Sequence, residues 1–422
     1  MGRRTIAVAV THRAPYGRLR PVLKAISAHP DLELKIIVTT STILHSLWYS
    51  IKHGQFSSLR ATLPSLVRTY WKARIGGKEA RSKLDLLSQV LVGDGFEIAA
   101  HIPAFVAGGN VVTMTKSVAT SLLALPEVLK ELKPDLLLVH ADRFEMLSFA
   151  VAGALMNIPI AHTQGGDVSG TIDETVRHAI TKLATYHFPT TQKSRDRIVR
   201  MGENPANVFL TGCPTIDGLK SIDMQDLAGV YIRNHPGVGV QIDFSRPYLL
   251  VMYHPVTTDP ANSADGMCAL ISSLDALQMP TLFFSPNIDA GTDKATSLLR
   301  DYVQSNALPA LNVQKNFMTD DFYRVLAHAS VALGNSSSFI REGSFLGTPA
   351  VMVGGRQEGR EHADNVTFVG TSAEEITSAV RAQLSHGRYT SSNVYGDGKA
   401  AQKIANILAT VELPKTQKHF FE

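Results

Sequence analysis

The sequence predicts an α/β protein with two doubly wound domains that face each other across a cleft. Three observations carry this prediction: a length of 422 residues, a 44% hydrophobic share beside 18% charged residues, and short apolar runs that alternate with helix-like stretches. A chain of this length exceeds the size of one hydrophobic core, so two domains of roughly 200 residues are expected. Apolar, β-branched runs between helices are typical of parallel sheets covered on both faces.

Two series of buried strands are predicted, one for each Rossmann-like domain. The first series comprises residues 5–10, 34–38, 135–140, 158–162 and 208–211. The second comprises residues 248–253, 281–285, 331–334 and 350–353, with a helix over residues 292–306. The polar, Gly- and Pro-containing stretch at residues 234–246 is typical of a linker. We therefore expect an N-terminal domain over residues 1–215 and a C-terminal domain over residues 216–397.

One region, residues 45–87, interrupts this pattern. It contains both tryptophans and eight basic residues against two acidic ones. The pattern predicts a basic, partly amphipathic helical insertion in the first domain. Such an element either meets a membrane surface or a partner, or packs on its own domain or at a subunit contact.

Composition and charge exclude several function classes. The formal net charge of +4 is small for this length and does not argue for nucleic acid. The two cysteines, Cys213 and Cys268, cannot form a disulfide framework and have no paired metal-binding spacing. No apolar run approaches the roughly 20 residues of a transmembrane helix. We predict a reduced, cytoplasmic protein without a metal.

The C-terminal half contains the sharpest nucleotide signal, at residues 334–342. A buried strand leads there through three serines into a helix, whose N-terminal N–H groups and hydroxyls suit phosphate. A plain serine N-cap would explain one of the three. Glu342, about one turn into the helix, is a candidate acceptor for two ribose hydroxyls. After the next strand, the Gly-rich segment at residues 354–360 would place a guanidinium on the diphosphate or over the base. The candidate binding residues here are Ser336, Ser337, Glu342 and Arg356.

Charged residues also follow the strands of the N-terminal domain, at the edge where ligands of such sheets bind. Clustered carboxylates there favour acid–base chemistry over a metal, because their spacing matches no compact metal motif. Asp173 is alternatively a first-turn partner of the helix dipole, and His254 a structural histidine. The charged loop at residues 11–18, which contains Arg13 and Arg18, is alternatively an exposed loop without a binding role. The candidates in the cleft are Arg13, Arg18, His140, Asp142, Arg143, Gln164, Asp167, Asp173, Arg177 and His254.

Motifs along nearly the whole chain outside the insertion resemble the UDP-N-acetylglucosamine 2-epimerases, in particular their hydrolysing, N-acetylmannosamine-forming branch in pathways to sialic-acid-type sugars. The motifs are Thr-His-Arg-Ala at residues 11–14, Ala-Asp-Arg-Phe-Glu at 141–145, Gly-Gly-Asp-Val-Ser-Gly-Thr-Ile-Asp at 165–173, Arg-His-Ala-Ile-Thr-Lys-Leu at 177–183, Tyr-His-Pro-Val-Thr at 253–257, Pro-Asn-Ile-Asp at 286–289, Gly-Asn-Ser-Ser at 334–337 and Tyr-Gly-Asp-Gly at 395–398.

The resemblance implies the two-domain fold shared with the glycosyltransferase-B class, and a last helix, near residues 398–412, that crosses back to the N-terminal domain. It implies that UDP is held by Arg13, His254, Ser336, Ser337, Glu342 and Arg356, with Asn287 in a further binding motif. It also implies that Asp142 and Asp173 serve catalysis without metal or cofactor. In this mechanism the C2 proton is removed and UDP expelled to give a 2-acetamidoglucal, which then takes up water. A homodimer or homotetramer is implied as well.

Two departures from the family pattern bear on the substrate. Gln164 stands where the hydrolysing branch often has glutamate, and it cannot exchange a proton, so Asp167 is a candidate to take over part of that role. The insertion at residues 45–87 is absent from the family pattern. Either departure is compatible with another substrate, such as a 2,4-diacetamido sugar, or with a weakened enzyme.

Three other functions compete with the hydrolysing epimerase. A glycosyltransferase of the same architecture would share the fold and the UDP site. A non-hydrolysing epimerase would return UDP-N-acetylmannosamine. A nucleotide-sugar sensor, favoured by Gln164 and the basic insertion, would bind UDP without turnover. The order of Asp142, Asp167 and Asp173 argues against the glycosyltransferase. The motifs Asp-Arg-Phe at residues 142–144 and Gly-Gly-Asp at residues 165–167 favour the hydrolysing over the non-hydrolysing epimerase.

Overall fold

The computed structural model describes residues 2–11, 13–41, 86–106, 110–254, 263–285, 292–305, 308, 310–414 and 418–421. The insertion predicted at residues 45–87 lies outside these ranges apart from its last two residues, and Asn287 lies outside them as well. Within the described ranges, no helix combines the length and apolar character that crossing a bilayer requires.

Strands and helices alternate along both halves of the chain. The strands are β1 Arg4–Val10, β2 Leu32–Ser41, β3 Ile98–Phe105, β4 Leu136–His140, β5 Ile160–Thr163, β6 Tyr186–Phe188, β7 Val238–Gly239, β8 Leu249–Met252, β9 Thr281–Phe284, β10 Leu311–Gln314, β11 Val331–Gly334, β12 Ala350–Val353 and β13 Val366–Val369. The helices are α1 Arg13–Ala28, α2 Leu86–Gly93, α3 Val111–Leu132, α4 Phe144–Leu155, α5 Ile172–Leu183, α6 Gln192–Arg200, α7 Pro214–Leu219, α8 Val230–Arg233, α9 Ser263–Leu277, α10 Thr292–Ser305, α11 Thr319–His328, α12 Ser337–Leu346, α13 Ala373–His386 and α14 Ala400–Thr410.

The N-terminal sheet is parallel and has the strand order β3-β2-β1-β4-β5-β6. Alternate residues of β1 enter the cores on its two faces, as the two-residue period of a strand requires. Ile6 and Val8 pack with α1, α2 and α14 on one face. Ala7 and Ala9 pack with α3, α4 and α5 on the other. Helices therefore cover both faces, and loops are left at the carboxyl edge.

The C-terminal sheet repeats this plan in the order β13-β12-β11-β8-β9-β10, and the two-residue strand β7 adds to its edge in antiparallel orientation. Its strands also have a core on each face. In both sheets the strand order reverses at the first parallel strand of the domain, which is β1 or β8. In open α/β sheets, ligands bind at this switch point, beyond the carboxyl ends of the strands.

The chain passes between the two halves near Gly212 and again near Gly396, where the two segments touch. The Cys213 N–H donates to the Tyr395 carbonyl at 2.7 Å. The carboxylate of Asp217 then accepts hydrogen bonds from the backbone N–H groups of Ala400 and Ala401, at 3.1 and 2.6 Å. These bonds satisfy N-terminal donors of α14. The same helix contributes to the core that contains β1 and α1, so the end of the chain packs on the N-terminal sheet.

The predicted fold class, two Rossmann-like domains of the glycosyltransferase-B kind, is confirmed. The strand predicted at residues 208–211 is wrong, because only Val208 forms a bridge, to His187 of β6. Beyond this bridge the neighbouring chain continues with Pro189, which has no N–H to donate to a ladder. Strands β3, β6, β10 and β13 were not predicted, and β7 lies in the stretch predicted to be a linker.

Candidate active site

The serine turn between β11 and α12 is held against the end of β8. Asn335 accepts a hydrogen bond from the His254 N–H at 2.7 Å and donates to the His254 carbonyl at 2.8 Å. Ser336 is the N-cap of α12, and its hydroxyl accepts from the Ser338 N–H at 3.4 Å. The first turn of α12 therefore opens at the carboxyl edge of the sheet, where helix N–H groups and the helix dipole favour an anion. His254 is buried beside this turn.

Glu342 is fully buried, and neither of its carboxylate oxygens has a hydrogen-bond partner among the described residues. The nearest cation is Arg341, whose Nε lies 3.7 Å from Oε1. Arg341 also donates through Nη2 to the Ser337 hydroxyl at 3.0 Å. Burial opposes the charge of Arg341, but Glu342 raises the pKa of this guanidinium above its ordinary value. A buried carboxylate with unused acceptor capacity is costly by itself, and it suits a ligand that brings hydroxyl donors.

Arg18, in α1 of the N-terminal domain, lies near Arg341 and Glu342 of the C-terminal domain. Burial, and next the charge of Arg341, lower the pKa of Arg18 to about 10, so both guanidinium groups are protonated at neutral pH. His140, the last residue of β4, accepts or donates through Nδ1 to the Thr163 hydroxyl at 2.8 Å. Its Nε2 has no partner among the described residues. Burial, followed by Arg18 and Arg341, holds the pKa of His140 well below its usual range, so the ring is neutral.

Asp142 follows β4 and forms an ion pair with Arg177 of α5. Arg177 is 1% exposed, whereas about a fifth of the Asp142 side chain, 21%, is open to solvent. Arg177 also donates through Nη1 to the Asp167 carbonyl at 2.8 Å. Asp142 is therefore held in place on one side and accessible from the cleft on the other. Burial lowers the pKa of Arg177 below its ordinary value.

Asp173 is the second residue of α5, and Thr171 is the N-cap of that helix. The Asp173 carboxylate is about one-third exposed, and its Oδ2 lies 4.0 Å from Nη2 of Arg356 in the other domain. Arg356 donates through Nη1 to the Asn335 carbonyl at 3.2 Å. A candidate phosphate ligand and a candidate acid–base residue therefore meet across the cleft.

Asp167 differs from the other two aspartates because both of its carboxylate oxygens are bound inside the protein. Oδ1 accepts from the Ser194 hydroxyl at 2.6 Å and from the Thr190 hydroxyl at 3.4 Å. Oδ2 accepts from Nη1 of Arg360, in the C-terminal domain, at 3.1 Å. Asp167 and Arg360 are each 5% exposed. The arrangement is that of an interdomain ion pair.

Gln164 and Arg143 are also bound inside the N-terminal domain. Gln164 is buried, has a φ of +61°, and directs its amide at the Cys213 sulfur, 3.4 Å away. Arg143 is bound by both oxygens of Glu145, at 3.1 and 3.2 Å. The backbone of Arg13 lies at the start of α1, and its side chain is outside the described structure, as is all of Asn287. The structure thus brings Arg18, His140, Asp142, Asp173, Arg177, His254, Ser336, Ser337, Glu342 and Arg356 to the facing sheet edges.

Comparison with known proteins shows the family. The sequence profile described as UDP-N-acetylglucosamine 2-epimerase matches residues 80–409 of the chain. The chain belongs to the UDP-N-acetylglucosamine 2-epimerase family. A UDP-N,N'-diacetylbacillosamine 2-epimerase (hydrolyzing) from Legionella pneumophila is 31% identical over 98% of this chain and 97% of its own length. A UDP-N-acetylglucosamine 2-epimerase from Neisseria meningitidis is 26% identical over 97% of each.

Solved structures of this family share the fold. The UDP-N-acetylglucosamine 2-epimerase of Methanocaldococcus jannaschii, in complex with UDP-GlcNAc and UDP, aligns with a TM-score of 0.71 over 96% of this chain and 99% of its own. Its sequence is 16% identical.

Sequence reasoning did not single out Arg341 and Arg360, although Arg341 lies in the serine-containing stretch at residues 334–342 and Arg360 follows the candidate Arg356 by four residues. Both are almost completely buried, at 3% and 5% exposure. Arginine is rarely buried without a partner, so an arginine among apolar helix positions indicates a paired or ligand-bound cation. This signal was available for Arg341, which follows Phe339 and Ile340 in α12. The partner of Arg360 is Asp167, 193 residues away, and only the packing of the domains identifies it.

Proposed function

We propose that this family member is a hydrolysing 2-epimerase, which converts UDP-N-acetylglucosamine or a close UDP-acetamido sugar to N-acetylmannosamine or its analogue and UDP. The observation that carries the proposal is Glu342, a buried carboxylate that has no hydrogen-bond partner among the described residues and lies near the guanidinium groups of Arg18 and Arg341. Cations would attract a diphosphate, and the carboxylate would accept from a ribose diol.

In this proposal, UDP lies across the first turn of α12. Ser336, Ser337 and the N-terminal N–H groups of α12 bind its phosphates, and Arg356 adds positive charge on the side of the cleft. His254 lies beside the same turn, since its backbone pairs with Asn335. Arg13 and Asn287 belong to the proposed binding set on the family resemblance. Cations around the diphosphate stabilise the charge that develops as UDP leaves.

The sugar would then lie between Asp142 and Asp173. One carboxylate takes the C2 proton while the C1–O bond to UDP breaks, and the product of this elimination is a 2-acetamidoglucal. In the second step, the oxygen of water bonds to C1 while one carboxylate takes the proton that the water loses, and the other residue, as a carboxylic acid, gives a proton to C2 on the opposite face. Asp142 is oriented by Arg177 and remains accessible, as a group that exchanges protons with a ligand must be.

Gln164 and Asp167 are not assigned a proton-transfer role in this proposal. An amide has no proton to exchange at neutral pH, and Gln164 is directed at Cys213. Both oxygens of Asp167 are bound by Ser194, Thr190 and Arg360. The two proton transfers therefore fall to Asp142 and Asp173.

A second substrate is favoured by the Legionella pneumophila relative, whose name specifies UDP-N,N'-diacetylbacillosamine. This sugar carries a second acetamido group, on C4, and shares the C2–H and the diphosphate on which the proposed chemistry depends. We therefore propose that kcat/KM be compared for the two UDP-sugars. A preference of tenfold or more, which corresponds to about 1.4 kcal/mol, identifies the physiological class.

The experiment that tests the function is proton NMR of the purified protein with UDP-N-acetylglucosamine in deuterated water. Free UDP together with C2-deuterated N-acetylmannosamine is the expected result. UDP-N-acetylmannosamine instead would identify a non-hydrolysing epimerase. UDP binding without turnover of either sugar would favour a sensor, and turnover only with an added acceptor would favour a glycosyltransferase. The proposal includes a cytoplasmic location and a homodimer or homotetramer.

A further inference from the structure

The domains touch through two short loops beside the cleft, residues 167–170 and residues 355–360. One contact is the buried ion pair between Asp167 and Arg360. A buried pair is stabilising only when its remaining polar atoms are satisfied. Ser194 and Thr190, in the same domain as Asp167, donate hydrogen bonds to its carboxylate and orient it independently of the second domain. Its remaining partner is Arg360 of the second domain, whose Nε has no hydrogen-bond partner among the described residues.

The second contact is between backbones. The Gly170 N–H donates to the Arg356 carbonyl at 3.1 Å. A methyl group on Gly170 would overlap the Gly355 carbonyl oxygen. The φ of Gly170 lies outside the left-handed region, so the local backbone accepts alanine. Alanine at this position would therefore oppose the approach of the two loops without straining its own loop.

These loops connect directly to the two proposed acid–base residues. The loop of the C-terminal domain carries Arg356, which reaches to 4.0 Å from Asp173. On the other side, the carbonyl of Asp167 accepts from Arg177, which pairs with Asp142. The same two loops therefore set the position of Arg356 relative to Asp173. One of them also contacts Arg177, the residue that holds Asp142 in place.

We propose that Asp167, Gly170, Gly355 and Arg360 form a clasp whose closing assembles the reactive cleft, and that Asp167 is a positioning residue. The role rests on the proposed function, since it concerns the geometry of Asp142 and Asp173. Asp167 exchanges no proton with the sugar, because both of its carboxylate oxygens are bound by Ser194, Thr190 and Arg360. Gly170 is required because only glycine allows the two backbones to meet.

Steady-state kinetics test the positioning role with Asp167→Asn, Arg360→Lys and Gly170→Ala. A misplacement of ~1 Å can cost ~100-fold in rate, so kcat is expected to fall at least about tenfold in Asp167→Asn and Gly170→Ala, with a smaller change in KM. Arg360→Lys keeps the charge and should recover part of the rate. The pH profile of kcat should keep both limbs in Asp167→Asn. Loss of one limb would show proton exchange by Asp167 and overturn the role.

Gly93→Ala is the matched control, because a methyl group there meets nothing within 4 Å. It should retain wild-type kcat, and far-ultraviolet circular dichroism should be the same for all variants. Wild-type kcat in Gly170→Ala would overturn the clasp.

Closure itself can be measured without turnover, by electron–electron double resonance between spin labels. Cys268 is exposed in the C-terminal domain and Cys213 is buried, so one added cysteine, Lys24→Cys in α1, completes a pair. With UDP bound, we expect one narrow distance distribution in the wild type and in Gly93→Ala, and an added longer component in Gly170→Ala. Identical distributions would refute the clasp. An inactive wild type with these distances would instead contradict only the proposed function.

Discussion

Arg177 pairs with Asp142 and at the same time donates to the carbonyl of Asp167. One guanidinium, 1% exposed, thus holds a proposed acid–base residue and the loop that meets the second domain. Because it is buried, its position is determined by packing, and Asp142 is pre-organised before any ligand binds.

Asp142→Asn and Asp173→Asn are expected to reduce kcat at least about 100-fold each, since positioned acid–base groups contribute ~10²–10⁴-fold. The proposed UDP site lies mainly at α12, so the Kd of UDP by titration calorimetry should change by less than about threefold. Asparagine keeps the shape of the side chain and limits the loss of stability around Arg177. Wild-type turnover in Asp142→Asn would remove this residue from the mechanism.

Glu342→Gln is expected to weaken UDP binding by ~10–100-fold, because a hydrogen bond to a charged group contributes about 1.5–3 kcal/mol. The free protein should be less stable, because the buried guanidinium of Arg341 loses the carboxylate that lies 3.7 Å from its Nε. Calorimetric titration and thermal unfolding measure the two effects. The matched ligand is 2',3'-dideoxyuridine diphosphate, to which both proteins should bind with similar Kd. An equal loss for both ligands would argue against the ribose contact.

Ser337→Ala combined with Arg356→Ala is expected to raise KM by ~10–100-fold, with a smaller loss in kcat. Ser337 stands at the N-terminus of α12 and Arg356 faces the same turn, so both are proposed to act mainly in phosphate binding. Initial-rate kinetics measure how the loss is divided between KM and kcat. Ser338→Ala in the same helix turn is the control and should retain wild-type KM. A fall confined to kcat would assign the pair to chemistry rather than to binding.

The pH dependence of stability should reveal buried neutral histidine. Burial lowers the pKa of His162 to about 3, against about 6.5 in the unfolded chain. The unfolded state binds the extra proton between these values, so stability is full above pH ~6.5 and falls as the pH decreases, by up to about 1.4 kcal/mol per pH unit. Urea unfolding between pH 7.5 and ~5 measures the slope of the unfolding free energy against pH. In His162→Asn this slope should be smaller by the contribution of about one bound proton. Exposed His235→Asn should keep the wild-type slope.

The sequence by itself determined the two α/β halves and the residue types of the site. Strands such as β1 and β11 could be recognised from consecutive residues, because every residue of a strand that is covered on both faces must be apolar or paired. The serine turn could be found for the same reason, since a strand end, an N-cap and a helix are consecutive in the chain. The edge strands β3, β6 and β13 escaped prediction, because they lack the continuous apolar run of a central strand: β6 is Tyr-His-Phe, and two of the four residues of β13 are exposed.

Only the tertiary structure distinguished Asp167 from Asp142 and Asp173. The three aspartates look alike in sequence, and their environments differ because one is paired with Arg360, one with Arg177, and one faces Arg356 at 4.0 Å. The first and third of these partners lie in the other domain. The long-range approach of two sheet edges sets such pairings, whereas a sequence pattern reports only on neighbours along the chain.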